Sequence, residues 1–341
     1  MPTTLKDVAE KVGVSVATVS RVLNDQPGIS AATRARVLQV ARELNYSANM
    51  SARGLATART FNIGLIAYRR SSHLNSDIVP VCDIGIQDAL DEQNYHMLPV
   101  RVDQDIMRSS AQHLPIVQGG RVDGLLVIGP ELERRYIIQL YNTGLPIVLI
   151  DNMLDETHID CVLSDNEYGT YKVTQHLIDA HHHRQTVFLS GPTGWLSSRE
   201  RYAGYTRALT EAGLEPHRVV MPDTTIETGQ DAMRQAFEEV PDLTAVVGVN
   251  DATAWGAGRA CKEAGLVVPD DVAIVGYDDV GWARLHEPPL TTVRAHFHEI
   301  GYQAARRLIE LIEQDASTPL RIRIATEIIL RGSCGTHQPD R

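Results

Sequence analysis

Several things that would mark a secreted, membrane-bound or catalytic protein are scarce or missing from this sequence. It has only four cysteines, Cys82, Cys161, Cys261 and Cys334, far apart and with no CxxC pair. They read as reduced, mostly buried thiols of a cytoplasmic protein. No apolar stretch approaches the ~18–20 residues that span a bilayer, so no membrane partner is expected. The opening MPTTLKDVAEKVG has no cationic segment followed by an apolar one, so no export signal is expected. The Walker A pattern, HExxH and the G-x-S-x-G elbow are absent, and no paired catalytic carboxylates stand out. An enzyme and a cofactor are therefore not expected. The run GAGRAC (Gly256–Cys261) begins like a dinucleotide fingerprint but ends in cysteine within a predicted helix. His181, His182 and His183 are consecutive, cannot share one helix face and read as a surface turn. His296 and His298 alternate without a third ligand, so no metal site is expected.

What is present is the composition of a globular protein long enough for two or three domains. Its 341 residues are 43% hydrophobic and 22% charged. The net charge of −11 argues against a nucleic-acid partner until its distribution is read. Residues 1–60 hold eight Lys and Arg against four Asp and Glu, a balance of +4 that leaves −15 for residues 61–341. A small basic head is joined to a large acidic body.

In the head, Leu5, Val8, Ala9 and Val12 fall on one helical face, and Gly13 follows where a helix ends in positive φ. Ser15 stands as the N-cap of a second helix that turns Val19, Val22 and Leu23 inward. Ala17, Arg21 and Asn24 then face outward, with Thr18 and Ser20 on the shoulders. A third helix, capped by Ser30, buries Val37, Val40, Ala41 and Leu44. The pattern is a helix-turn-helix, or else a plain three-helix bundle. Arg21 can reach phosphate or guanine, and Thr18, Ser20 and Asn24 can bond phosphates.

The run LKDVAEKVGVSVATVSRVLN resembles the DNA-binding head of the LacI/GalR family of bacterial transcriptional regulators. The resemblance puts Val16, Ala17 and Arg21 at the base-reading positions of the recognition helix. Leu5 and Ser30, at the starts of the first and third helices, complete the assigned contacts of residues 1–46. Residues 47–60 alone read as a flexible linker. The resemblance makes them a hinge helix that forms on DNA, capped by Asn49, with Leu55 a minor-groove wedge and Ala52 on the same face. Ala48 stands where the family usually has proline, which leaves the hinge less preorganised.

Residues 61–335 alternate short apolar runs with amphipathic ones. Candidate strands include NIGLIA, GLLVIG, PIVLI, TVFLSG, AVVGVN and VAIVGYDD; candidate helices are 84–94, 131–143, 167–180, 199–212, 229–239 and 252–264. This is the signature of parallel sheets covered on both faces, in an α/β body of two doubly wound lobes. Ligands of such sheets sit at the carboxyl ends of strands. The tails are Tyr68–Arg70, Gly129–Pro130, Asp151–Asn152, Gly191–Trp195, Asn250–Asp251 and Tyr277–Asp279.

LSDNEYGTYKVTQHLI, SSRERYAGYTRAL, VNDATAWGAGRACKEAGLVVPDDVAIVGYDDV and PPLTTV also resemble the family's segments, in order, and the periplasmic sugar-binding proteins behind it. The resemblance implies three crossings between lobes, near Leu163, Thr292 and Arg321. The first lobe is then about 61–162 with 293–320, and the second about 163–291 with 321–334. It also implies an effector-binding trio of Arg201, Asn250 and Asp278, a set suited to a ligand with many hydroxyls. Phe297 falls where the family often has a ligand-facing aromatic. Trp195 either stacks on a sugar or packs between lobes. The stretch AYRRSSHLNSD departs from the family, and Tyr68, Arg70 and the nearby Arg69 and His73 either meet an anionic effector or are solvated.

The expected function is a sequence-specific DNA-binding transcriptional regulator, a repressor controlled by a small effector, a sugar, bound between two lobes. The alternatives are a solute-binding receptor and a sugar-processing enzyme on a similar fold. The expected partner is a pseudo-palindromic operator, with a central CpG from the resemblance, read by a homodimer. The tail GTHQPDR has no leucine heptad for a tetramer.

Overall fold

The computed structural model describes residues 3–23, 27–44, 59–69, 78–155, 158–314 and 318–335, with side chains from Pro80 onward in the segment that starts at 78. It divides into two compact units, Met1–Phe61 and Asn62–Arg341.

The first unit is three helices, α1 (Leu5–Val12), α2 (Val16–Leu23) and α3 (Ala31–Glu43). Thr4 and Asp7 form a reciprocal capping box at the start of α1, and Gly13 ends it at φ 79. Ser15 Oγ accepts from the Thr18 N–H at 3.1 Å, and Ser30 Oγ accepts from the Thr33 N–H at 3.2 Å. The core is Val8, Ala9, Val12, Val19, Val22, Val37, Val40 and Ala41. Leu23 and Leu44 only flank it. Valines make up most of this core.

The second unit contains two six-stranded sheets. The first is built from β1 (Asn62–Tyr68), β2 (His96–Val102), β3 (Gly124–Ile128), β4 (Ile147–Ile150), β5 (Asp160–Ser164) and β11 (Arg321–Ile324), in the order β11-β5-β4-β3-β1-β2 and wholly parallel. The second is built from β6 (Thr186–Ser190), β7 (His217–Val220), β8 (Ala245–Gly248), β9 (Ala273–Asp278), β10 (Thr291–Arg294) and β12 (Glu327–Ile329). Its order is β12-β10-β9-β8-β6-β7, and only the β10–β12 pair is antiparallel. The central strands are continuous buried apolar runs, as strands covered on both faces must be.

Helices α4 (Ile78–Glu92), α5 (Gln104–Arg108), α6 (Pro115–Gln118), α7 (Arg134–Tyr141) and α12 (Phe297–Gln314) accompany the first sheet. Helices α8 (Asn166–Asp179), α9 (Leu196–Glu211), α10 (Ile226–Glu239) and α11 (Asp251–Glu263) accompany the second. All four cysteines are free and buried. Among the described residues no helix is long and apolar enough to cross a membrane.

The first two crossings fall close to their expected positions, and the third is displaced. β10 lies in the second sheet, because Thr292 Oγ1 donates to buried Asp251 at 2.5 Å and the Thr291 N–H donates to Ser333 Oγ at 2.8 Å. The second crossing therefore falls after Arg294, close to Thr292. β11 pairs with β5 in the first sheet, whereas residues 321–334 were expected in the second lobe. The cause is a buried clamp: Asp160 accepts from Arg307 at 2.7 Å and from the Leu320 N–H at 2.6 Å, while Arg307 also donates to the Thr318 carbonyl. That fixes residues 318–320 beside β5, and the third crossing falls between Ile324 and Glu327. The first crossing follows Ser164, since β5 runs to that residue.

Candidate DNA-reading face and effector cavity

The outer face of α2 is small and accessible. Val16 is 45% exposed, Ala17 and Arg21 are exposed, and Thr18 and Ser20 are half-buried. A small, accessible face of this kind leaves room for close approach to a groove. The Thr18 hydroxyl bonds Ser15 Oγ at 2.9 Å, so it shares in capping the helix. Leu5 is half-buried against the core of the head, and the Ser30 hydroxyl caps α3. Asn24, Asn49, Ala52 and Leu55 lie outside the described residues.

In the body, a narrow cavity is lined from both sheets' carboxyl ends. Pro130 and Asp151 follow β3 and β4, while Arg201, Asn250 and Asp278 come from α9 and the ends of β8 and β9. Trp195, Ser198, Thr224 and Phe297 are also among its walls. Asp278 and Asp151 are held at φ 108 and φ 54, unusual for residues with a Cβ. Such conformations persist where the surrounding fold imposes them, often at binding sites.

Arg201 is the hub. Its Nε donates to Asn166 Oδ1 at 2.9 Å, Nη1 donates to the Val249 carbonyl at 2.6 Å, and Nη2 lies 3.2 Å from Asp278 Oδ1. The guanidinium also sits 3.7 Å from the centre of the Tyr277 ring, whose hydroxyl meets Ser164 Oγ at 3.1 Å. Burial works against the Arg201 charge, but Asp278, Tyr277, Asp151 and Asp251 outweigh it and hold the group above its ordinary value. Asn250 serves two ends: its Oδ1 accepts from the Thr253 N–H at 2.9 Å to cap α11, and its Nδ2 donates to the Thr224 carbonyl at 3.3 Å. Burial pushes the Asp151 carboxyl up to about 7; Arg201 pulls it down, and Asp278, Glu131 and Glu200 push it further up.

The family description "Bacterial regulatory proteins, lacI family" matches residues 4–49, and "Periplasmic binding protein-like domain" matches residues 174–334. The HTH-type transcriptional repressor PurR of Pasteurella multocida is 32% identical over 333 residues, covering 97% of this chain and 98% of that protein. The chain belongs to the lacI family of bacterial regulatory proteins. It is a DNA-binding transcriptional regulator, and its relatives are repressors and regulators rather than enzymes. A Lac repressor dimer bound to operator and the anti-inducer ONPF superposes with a TM-score of 0.79 at 30% identity, covering 98% of this chain and all of that one. A complex of the transcriptional regulator CelR with cellobiose gives a TM-score of 0.72 at 30% identity, covering 97% and 99%.

Five of the seven expected effector residues come together. Arg201, Asn250, Asp278, Trp195 and Phe297 line one cavity. Tyr68 instead packs half-buried against the core of the first sheet, and Arg69 pairs with Asp103 at 3.5 Å on the surface. Arg70 and His73 lie outside the described residues. Sequence reasoning missed Asp151, Ser198 and Thr224 as cavity residues. The strand-end rule had named Asp151–Asn152 as a tail, so a signal existed for the first. Thr224 lies in the loop after β7 and had none.

Proposed function

We propose that this regulator is a cytoplasmic, homodimeric repressor that reads a pseudo-palindromic operator with a central CpG step, and that a sugar in the body's cavity controls it. The observation that carries this reading is the convergence of Arg201, Asn250, Asp278 and Asp151 on one cavity at the facing ends of two sheets. Buried carboxylates beside one paired arginine leave no net positive charge for an anionic ligand. They offer acceptors to hydroxyl groups, and Trp195 and Phe297 offer apolar surface to a sugar ring. CelR with cellobiose and the Lac repressor on its operator support both halves of the assignment. In the head, Val16, Ala17 and Arg21 read bases, Thr18, Ser20 and Asn24 hold phosphates, and Leu55 with Ala52 opens the minor groove at the operator centre.

A thermal-shift screen of mono- and oligosaccharides tests the cavity, since a ligand at ~100 times its Kd adds ~2.7 kcal/mol. The stabilising sugar should then change operator affinity in a fluorescence-anisotropy titration. A sugar that binds free and operator-bound protein equally would overturn the reading. Selection from random DNA tests the operator; recovery of asymmetric sites alone would refute a two-fold reader.

A further inference from the structure

We propose that His176, His181 and Cys334 form a binding site for Zn2+ at the end of the second sheet remote from the effector cavity. His176 lies in the last turn of α8, His181 in the loop leading to β6, and Cys334 in the short turn Gly332–Cys334. One ligand atom from each lies within 4.8 Å of the other two. Around tetrahedral zinc, with bonds of about 2.0–2.3 Å, neighbouring ligand atoms stand about 3.3–3.6 Å apart. Side-chain movement of about 1 Å closes the set, and water fills the fourth position. Two imidazoles and a thiolate suit zinc better than the harder magnesium or calcium.

The surroundings are built to place these groups. The His176 and His181 rings meet edge to face with centroids 5.0 Å apart. Cys334 Sγ donates to Thr291 Oγ1 at 3.1 Å, and the neighbouring Ser333 Oγ bonds the Ile274 carbonyl at 2.6 Å, so the thiol's segment is tied to β9 and β10. Gly335, at φ 118, passes so close to the His181 ring that an added Cβ would lie 2.8 Å from it. Run along the sequence, the three consecutive histidines suggest only a turn. The fold takes one of them and adds His176 and a cysteine from the far end of the chain. Zinc binding forms one Zn–S and two Zn–N bonds and releases the thiol proton to solvent, while the Thr291 hydroxyl turns to donate to the thiolate. His176 is ten residues, or about 15 Å, along α8 from Asn166, the partner of Arg201. The ion would therefore fasten the C-terminal segment to α8 without entering the cavity.

Calorimetric titration of Zn2+ into the full-length, chelator-treated protein should give one equivalent per chain, with a heat that varies with buffer ionisation as a proton leaves. Cobalt in place of zinc should give a thiolate-to-metal charge-transfer band. H176Q and H181Q should each weaken binding by at least about tenfold, on the scale of disrupted metal shells, while melting like the parent without metal. C334S should abolish the cobalt band. Unchanged stoichiometry and affinity in H181Q would overturn the site. So would a cobalt spectrum of the parent without a thiolate band, which decides the matter even if C334S fails to fold.

Discussion

At the scale of single residues, Arg201 shows how binding and stability share one side chain. Its nitrogens serve Asn166, the Val249 carbonyl and Asp278, all in a buried setting. Arg201→Ala should therefore cost about 3–5 kcal/mol, because it leaves a buried carboxylate without its cation. Thermal denaturation of the purified variant would measure this. Asp278→Asn keeps the shape and should be the cleaner probe: effector affinity should fall by tenfold or more, about 1.4 kcal/mol, while operator affinity is retained. Loss of operator binding in a well-folded Asp278→Asn protein would break the assignment. Asp151 makes a different expectation. Its folded value of about 7 lies above that of a free carboxyl, so the folded state holds a proton that the unfolded state has lost. Its contribution is thus intact below about pH 4, declines as pH rises, and is fully lost above about pH 7. Asp151→Asn should stabilise the ligand-free protein at pH 8 by roughly 1–2 kcal/mol, less than burial alone implies because Arg201 offsets part of it. It should do little at pH 4. Equal melting shifts at both values would assign the strain at Asp151 to its backbone instead. That Arg201, Asn250 and Asp278 share a cavity was legible through motif resemblance, but that Asp151 joins them required seeing which strand tails meet.

At the scale of elements, glycine decides how closely the helices cross. A Cβ on Gly204 of α9 would lie 2.1 Å from the Glu167 carbonyl oxygen of α8, and one on Gly256 of α11 would lie 2.1 Å from that of Ile226 in α10. Backbone cannot yield as a side-chain tip can, so Gly204→Ala should destabilise by about 1–3 kcal/mol despite its better helix propensity. Urea unfolding would show it as a lower midpoint at unchanged slope; a neutral result would mean that α8 and α9 can slide apart. The long, patterned helices were readable: 167–180 and 252–264 were expected, and Asn166–Asp179 and Asp251–Glu263 are found. The helix expected at 84–94 starts at Ile78, since Pro80 is tolerated in a first turn, and stops at Glu92 before Asn94 at φ 58. Among the strands that escaped notice, β5 and β10 are buried but broken by polar Asp160 and by Thr291 and Thr292, and the others carry weaker signals. β2 contains Pro99 and half-exposed positions at a sheet edge, and β7 is a four-residue edge strand with exposed Arg218 and Val220. β11 alternates arginine with isoleucine and β12 is only Glu327–Ile329, so neither is a continuous apolar run, and the Asp160–Arg307 clamp sits beside β11 in the first sheet.

At the scale of the whole molecule, a repressor controlled by its effector needs the cavity to bias contacts that both lobes share. One polar chain does this across the crossings. Arg201 bonds Asn166 Oδ1, whose Nδ2 donates to Glu200 Oε2 at 3.0 Å, and Arg323 Nη2 reaches Glu200 Oε1 at 2.6 Å. Asn166 opens α8 directly after the first crossing, and Arg323 lies in β11 just before the third. In the proposed reading, a ligand that draws on Arg201 alters groups shared by the two lobes, and lobe closure carries the signal out of the cavity. Arg323→Ala should leave effector affinity within about threefold of the parent but reduce the coupling between effector and operator by about 0.5–2 kcal/mol. Ala17→Glu should do the reverse, removing operator binding by setting a carboxylate against base edges while the cavity binds its sugar normally. The test is a thermodynamic cycle, with operator affinity measured with and without sugar and sugar affinity with and without operator. The two ratios must agree, because coupling between binding sites is reciprocal. If Arg323→Ala leaves that shared ratio at its parental value, the signal crosses between the lobes by another path, and the buried clamp around Asp160 becomes the element to test.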